Sequence, residues 1–143
     1  MALSLYDASV ANYLQTLGAV SGFLERGLTH FREQNIDPET IVEARLAPDM
    51  LPLPSQIRIA ADAAKGAAAR LAGIDIPVFE DNETNIAELR ERIRKTVAFL
   101  ESVPAKSIED SLPRGVVFDD LQHSQCINGT SAFQCFIKVR LFS

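Results

Sequence analysis

Four charged residues flank a proline-rich turn and the helix expected after it, and they are the strongest candidates for a binding site. They are Arg45, Asp49, Asp62 and Lys65. Asp62 and Lys65 stand three residues apart, which places them on one face of a helix, while Arg45 and Asp49 bracket the turn. The four side chains could line a polar pocket at one end of the helices. They could also form ion pairs that fix the turn to the helix, and we favour this role because such pairs are common at turns.

Residues able to bind a transition metal are few. The chain has two histidines, His30 and His123, and two cysteines, Cys126 and Cys135. His123 and Cys126 have a three-residue spacing that could bind zinc, but a complete site needs further ligands, for which only Cys135 is obvious. We therefore predict no metal site and no cofactor.

Apolar residues recur every three or four positions along most of the first hundred residues, which predicts amphipathic helices. Their ranges are about 4–34, 38–45, 54–72 and 84–102. Asp37-Pro38-Glu39 is a start signal for the short helix, and Gly73 is a suitable end for the helix before it. Three prolines, at 48, 52 and 54, exclude a regular helix from the connection.

The pattern changes after Pro104. Val116-Val117-Phe118 predicts a short strand, residues 119–131 show no period, and the alternation near the end of 132–142 is typical of a strand. We divide the chain into a helical bundle over 1–110, with three main helices and one short helix, and a divergent irregular tail over 111–143.

Two features of the helices allow further predictions. The charged run of the last long helix indicates a solvated face. Its members are Glu88, Arg90, Glu91, Arg92, Arg94 and Lys95. Gly18, Gly22 and Gly27 lie along the first helix, where each lowers helix stability, so we expect a neighbouring helix to approach them closely.

Composition restricts the class of protein. The formal net charge is −5, and no run of basic residues offsets it, so a nucleic-acid partner is not expected. The first residues, MALSLYDASVANYL, lack the basic start of a secretory signal, and no apolar run approaches the length of a membrane span. With too few cysteines for a disulfide scaffold, a cytoplasmic location is predicted.

Five segments closely resemble one domain-of-unknown-function family of the DinB-like superfamily. They are LSLYDASV (3–10), EARLAPDM (43–50), QI (56–57), ADAAKGAAARLAG (61–73) and PVFEDNET (77–84). The resemblance covers about residues 2–103 and implies an all-α four-helix bundle of up-down-down-up type. Members of this family continue into a fourth helix, which the residues after about 110 do not match, so a missing or altered fourth helix is expected here.

Two classes of function follow. The first is a non-catalytic module that binds a small apolar ligand or a partner, including a second copy of the chain. A homodimer would use apolar stripes that the missing or altered fourth helix leaves exposed, at Leu14, Leu17, Leu24, Ile93, Val97 and Leu100. The second is implied by the superfamily, in which some members bind a metal through histidines and some are thiol-dependent transferases or hydrolases. Such an enzyme would act on a small metabolite.

Overall fold

Three long helices and one short helix make up more than half of the described residues in a computed structural model, which describes residues 4–45, 47–111, 113, 116–120 and 123–127. The elements are a π-helical turn Asp7–Ala11 that runs directly into α1 Asn12–Glu33, a 3₁₀ turn Pro38–Ile41, α2 Leu53–Ala72, α3 Ile86–Ser102, α4 Ala105–Glu109, β1 Val116–Asp120 and β2 His123–Ile127. The predicted all-α class and the three main helices are confirmed. The region of the altered fourth helix contains the five-residue α4 and the hairpin of β1 and β2.

The predicted start and stop signals position these helices. The Ser4 hydroxyl accepts a hydrogen bond from the backbone N–H of Asp7 at 3.0 Å, and the Asp37 carboxylate accepts one from Glu39 at 3.0 Å. The Asn85 side chain caps α3, accepting the N–H of Glu88 at 2.9 Å. Gly73 ends α2 in the left-handed conformation, with φ of 69°. These contacts satisfy backbone groups that a helix leaves unpaired at its ends.

The core lies where α1, α2 and α3 meet. Between Ala64 and Ala69 every residue of α2 is buried, since this helix contacts α3, α4, the first turn and β1. Its alanines allow the neighbouring helices to approach closely. Ala60, on the same helix, is exposed.

The apolar stripes expected to be exposed are instead buried. Leu17, Leu24, Ile93 and Leu100 are each at most 4% exposed. The reason is that α1 and α3 pack against each other and, together with α2, close the core, to which Val10 and Ile108 contribute from the first turn and α4. The expected exposure is therefore wrong for these four residues, whereas Leu14 and Val97 are only partly buried. Self-association stays a prediction, and the large apolar side chains exposed for it are Phe23, Ile36, Met50, Leu51, Ile74, Ile76 and Val78.

A hydrogen bond joins the beginning of the helical region to α4, its last helix. The backbone N–H of Tyr6, which directly precedes the π-helical turn, donates to Glu109 Oε1 at 2.9 Å. Glu109 is the last residue of α4, and it contacts a residue 103 positions away in the sequence. This bond fixes α4 against the start of α1, so the short helix is held by a tertiary contact despite its length.

Strand β1 confirms the predicted strand near 116–118 and extends it by two residues. It pairs with β2 in antiparallel register, with Val116 opposite Ile127 and Asp120 opposite His123. Strand β2 was not predicted, because apolar and polar residues do not alternate along it. The strand predicted within 132–142 lies outside the described residues. No helix in the described part of the chain is both long and apolar enough to cross a membrane.

The glycines of α1 are not sites of close approach. A Cβ atom added at Gly18 or Gly27 would have no neighbour within 4 Å, and one at Gly22 would meet only the end of the Arg26 side chain at 3.6 Å. The expected contact with a neighbouring helix is therefore wrong for the described residues. These glycines lower helix stability without giving the chain a tighter contact.

We predict that Gly18→Ala and Gly27→Ala each raise the free energy of unfolding by up to about 1 kcal/mol, because alanine restricts the unfolded chain and fits a helix. Urea denaturation would measure the change. Gly73→Ala is the control, and it should lower stability by roughly 1–2 kcal/mol because φ is positive there. A loss of stability in Gly18→Ala would contradict the prediction and indicate that this face is covered in solution.

Candidate functional site

The Arg92 side chain is the centre of the most concentrated polar contacts in the described residues. It is 2% exposed, although it belongs to a charged helix run. Its Nη1 atom lies 2.7 Å from Glu83 Oε1 and 2.9 Å from Asp81 Oδ1, and it donates to the Glu80 carbonyl at 3.1 Å. Its Nη2 atom donates to Asp62 Oδ1 at 2.8 Å. One guanidinium group thus joins α3 to α2 and to the linker between them.

A second layer of charges surrounds these carboxylates. Arg58 donates from Nε to Glu83 Oε2 at 2.7 Å and from Nη2 to the Glu83 carbonyl at 2.6 Å. Lys65 Nζ lies 2.7 Å from Asp62 Oδ1 and 4.3 Å from the centre of the Phe79 ring. We call these side chains the Arg92 cluster: Arg58, Asp62, Lys65, Asp81, Glu83 and Arg92. It contains three cations and three carboxylates, so its formal charges balance.

The helical spacing explains how the sequence assembles this cluster. Arg58, Asp62 and Lys65 follow one another at steps of four and three residues, so they share one face of α2. Asn85 fixes the start of α3 and therefore the turn on which Arg92 lies. The linker after Gly73 is extended and brings Asp81 and Glu83 between the two helices. Each group lies at the meeting point of α2, α3 and the linker.

Neighbouring charged groups shift the pKa values of Glu83 and Arg92. Burial alone would raise the pKa of Glu83, but hydrogen bonds from Arg92 and Arg58 outweigh it and hold the pKa below its usual value. Burial alone would lower the pKa of Arg92, and the neighbouring carboxylates of Glu83 and Asp62 outweigh it and raise the pKa. Both groups are therefore charged at neutral pH.

A cleft opens beside the cluster, between the linker and α3, and we call it the α3 cleft. Its volume is about 410 Å³. The linker wall consists of Val78, Phe79, Glu80, Asn82 and Glu83. The helix wall consists of Glu88, Glu91, Arg92 and Lys95, whose spacing defines one face of α3. Val78 is 91% exposed and therefore open to contact with a ligand.

The four residues selected from the sequence separate into two pairs. Asp62 and Lys65 form the predicted ion pair and belong to the Arg92 cluster. Arg45 and Asp49 are exposed, and Arg45 donates to the Met50 carbonyl at 3.3 Å, within the turn itself. Asp49 has no hydrogen bond or ion pair with any residue that the structure describes. A ligand-binding role for these four residues stays a prediction.

The interpretation of the α3 charge run as a solvated face was wrong for Arg92. Arg94 fits it, since its only ion pair within the described ranges is with Glu91 on the helix surface, whereas Arg92 is buried. Arg58, Phe79 and Glu83 were not predicted from the sequence as members of a site. A signal did exist for Arg92, because it is three residues beyond Leu89 and four before Thr96, both of which are buried.

No group of three or more metal-binding side chains lies together among the described residues. His30 is exposed near the end of α1. His123 and Cys126 belong to β2, where the backbone is described, and Cys135 lies outside the described residues. The absence of a metal site therefore stays a prediction.

Comparison with known proteins is consistent with the architecture. A family described as "Domain of unknown function (DUF1993)" matches residues 5–138. The fold is similar to a crystal structure of a DinB family member protein from Shewanella denitrificans, with a TM-score of 0.78 and 25% sequence identity. That match covers 91% of this chain and 74% of the other. None of the curated proteins compared with the chain matches it.

We predict that Arg92→Ala lowers the free energy of unfolding by roughly 1.5–3 kcal/mol, because the buried Glu83 carboxylate loses one of its two arginine partners. The matched control is Arg94→Ala, on the same helix, which removes an exposed cation and should leave stability nearly unchanged. Thermal and urea denaturation would measure both. Equal effects of the two substitutions would contradict a central role for Arg92.

The Glu83 carboxylate should give stability a specific acid dependence. Its pKa is lowered from 4.5 in the folded state, so its contribution is complete above pH 4.5 and is lost as the pH falls through the lower folded value. Glu83→Gln should remove this part of the pH dependence. Denaturation followed from about pH 2 to about pH 6 would measure it. Glu101→Gln, at the exposed end of α3, is the control and should retain the wild-type slope.

Proposed function

The chain belongs to the DUF1993 family of domains of unknown function and has an all-α DinB-like fold. We propose that it is a non-catalytic module that binds a small ligand in the α3 cleft. The observation that carries the proposal is the cleft itself, with an apolar side chain, Val78, left 91% exposed at its wall. Covering such a side chain with an apolar group releases free energy.

The fixed position of the walls supports binding. Glu83 and Arg92 belong both to the cleft and to the Arg92 cluster, and Glu83 is held by two arginines at once. The linker therefore cannot move away from α3 without breaking the contacts of Arg92 with Glu83, Asp81 and the Glu80 carbonyl. A ligand that enters finds walls already in place, which reduces the ordering cost of binding.

The acids of the cleft support a role without catalysis. Glu83, Glu88 and Glu91 all have pKa values below the usual range. For Glu88 the main cause is a hydrogen bond from the Thr84 backbone, and for Glu91 it is the hydrogen bond from Arg94. A general acid or base working near neutral pH needs the opposite, a carboxyl group whose pKa is raised. These carboxylates are suited to holding structure and orienting a ligand.

The proposal is tested with four six-carbon probes: hexanoate, hexanamide, hexylamine and hexan-1-ol. We expect at least one of them to shift the amide NMR signals of Phe79, Arg92 and Lys95. Val78→Ser should weaken this binding by roughly tenfold, because about two methyl groups lose their apolar contact. It should leave the melting temperature unchanged, since Val78 is largely exposed in the free protein.

The matched control is Ile74→Ser, in the same linker but outside the cleft, with Ile74 46% exposed. It should bind the probes like the wild type. If no probe shifts the cleft signals, or if the control loses binding as strongly as Val78→Ser, the proposed site is wrong.

A further inference from the structure

We infer that the ligand of the α3 cleft is a small organic cation, a protonated amine with an apolar body, whose ammonium group is bound by the carboxylates of Glu80 and Glu88. This inference rests on the proposed binding function and assigns the chemical class of the ligand. The two carboxylates belong to opposite walls of the cleft, Glu80 to the linker wall and Glu88 to the helix wall. The inference is carried by the negative charge left unmatched in the cleft and by the apolar surface beside it.

The α3 cleft is lined by more negative than positive groups. Its charged residues are Glu80, Glu83, Glu88, Glu91, Arg92 and Lys95. An anionic ligand would meet carboxylates on both walls, and this repulsion excludes it as effectively as any steric contact. A cationic ligand is attracted by the same groups.

Two of the carboxylates already have cationic partners. Glu83 accepts hydrogen bonds from both arginines of the Arg92 cluster, each at 2.7 Å. Glu91 accepts two from Arg94, at 2.7 and 2.6 Å, which hold the pKa of its carboxyl below the usual value, and the charge of Lys95 acts in the same direction. These contacts match the charges of Glu83 and Glu91 and engage Lys95 as well.

Glu80 and Glu88 form no ion pair with any residue in the described ranges. Their hydrogen bonds come from neutral groups. Glu80 Oε2 accepts from the Asn82 side chain at 3.2 Å, and Glu88 Oε2 accepts from the Thr84 backbone N–H at 2.6 Å and hydroxyl at 3.1 Å. In each carboxylate, Oε1 accepts no hydrogen bond from the part of the chain that is described. Each group is thus held through one oxygen while the other is open to an ammonium N–H.

The lysine of the helix wall lies away from these two carboxylates. Lys95 is seven residues after Glu88, which corresponds to about 10 Å along α3. That distance is roughly the Debye length at physiological ionic strength, so the two positions are largely screened from each other. An ammonium group beside Glu88 therefore avoids most of the repulsion from Lys95.

The apolar surface of the cleft favours an organic cation over a metal ion. Val78 stands two positions before Glu80 in the extended linker, so the two side chains share a face of that segment. A chain attached to the ammonium group would cover Val78, which is 91% exposed. A divalent metal has no use for an apolar wall, and it needs more converging oxygen ligands than an ammonium does. The described residues contain no group of three or more metal-binding side chains.

The test compares hexylamine with hexan-1-ol and hexanoate at neutral pH, where the amine is protonated because an alkylammonium has a pKa of about 10.4. We expect hexylamine to bind most tightly. Glu80→Gln and Glu88→Gln should each weaken hexylamine binding by roughly three- to fivefold and leave hexan-1-ol binding nearly unchanged. Glutamine keeps an oxygen for the existing hydrogen bonds, so the substitutions remove only the charge. Glu101→Gln, at the exposed end of α3 outside the cleft, is the control and should bind hexylamine like the wild type.

A second variant should act in the opposite direction. Lys95→Gln removes a like charge from the cleft and frees part of the charge of Glu91, so it should strengthen hexylamine binding by about twofold. Tighter binding of hexan-1-ol or hexanoate than of hexylamine would overturn the cation assignment while leaving the proposed function in place. So would unchanged hexylamine binding in both Glu80→Gln and Glu88→Gln, or weaker hexylamine binding in Lys95→Gln. If none of the probes binds, the proposed function itself fails.

Discussion

The buried guanidinium of Arg92 is the interaction on which the arrangement of this protein depends. It is bound by carboxylates from α2 and from the linker, at distances of 2.7–2.9 Å. Transferring such charges from water is costly, and their mutual attraction repays much of that cost without producing a large net stabilisation. What the cluster provides is a defined geometry, because any other arrangement of α2, α3 and the linker would leave a buried charge without a partner. The α3 cleft exists as a consequence of this constraint.

The apolar core and the Arg92 cluster have different roles in the fold. The apolar residues bring α1, α2 and α3 together, and they do so by area, with little preference for one exact register. The cluster then fixes how the linker crosses between α2 and α3. The cluster also positions Phe79, since the centre of its ring lies 4.3 Å from Lys65 Nζ and 5.9 Å from the Arg92 guanidinium carbon. A linker residue thereby acquires a fixed place without belonging to a helix or strand.

Local signals in the sequence were sufficient for the helices but not for the site. Asn85 and Glu88 identify the start of α3, and Gly73 identifies the end of α2, because capping is decided by a few neighbouring residues. Arg92 was assigned to a solvated face because it stands in a run of charged residues, although its spacing from Leu89 places it next to the buried stripe of α3. Its partners Asp62 and Glu83 come from other elements, and no periodicity connects them. The apolar stripes were found correctly, but which stripe is covered depends on how three helices close on each other.

The hydrogen bond between Tyr6 and Glu109 has a consequence for the order in which the chain folds. The contacts of Arg92 with Glu83 and Asp62 join residues 9 and 30 positions apart, whereas Tyr6 and Glu109 are 103 positions apart. Closing a long loop costs more chain entropy than closing a short one, so contacts between near positions form at lower cost. The unit of α2, linker and α3 is therefore the expected nucleus of folding. Docking of α4 onto the first turn would close the chain last, once both surfaces of that contact are in place.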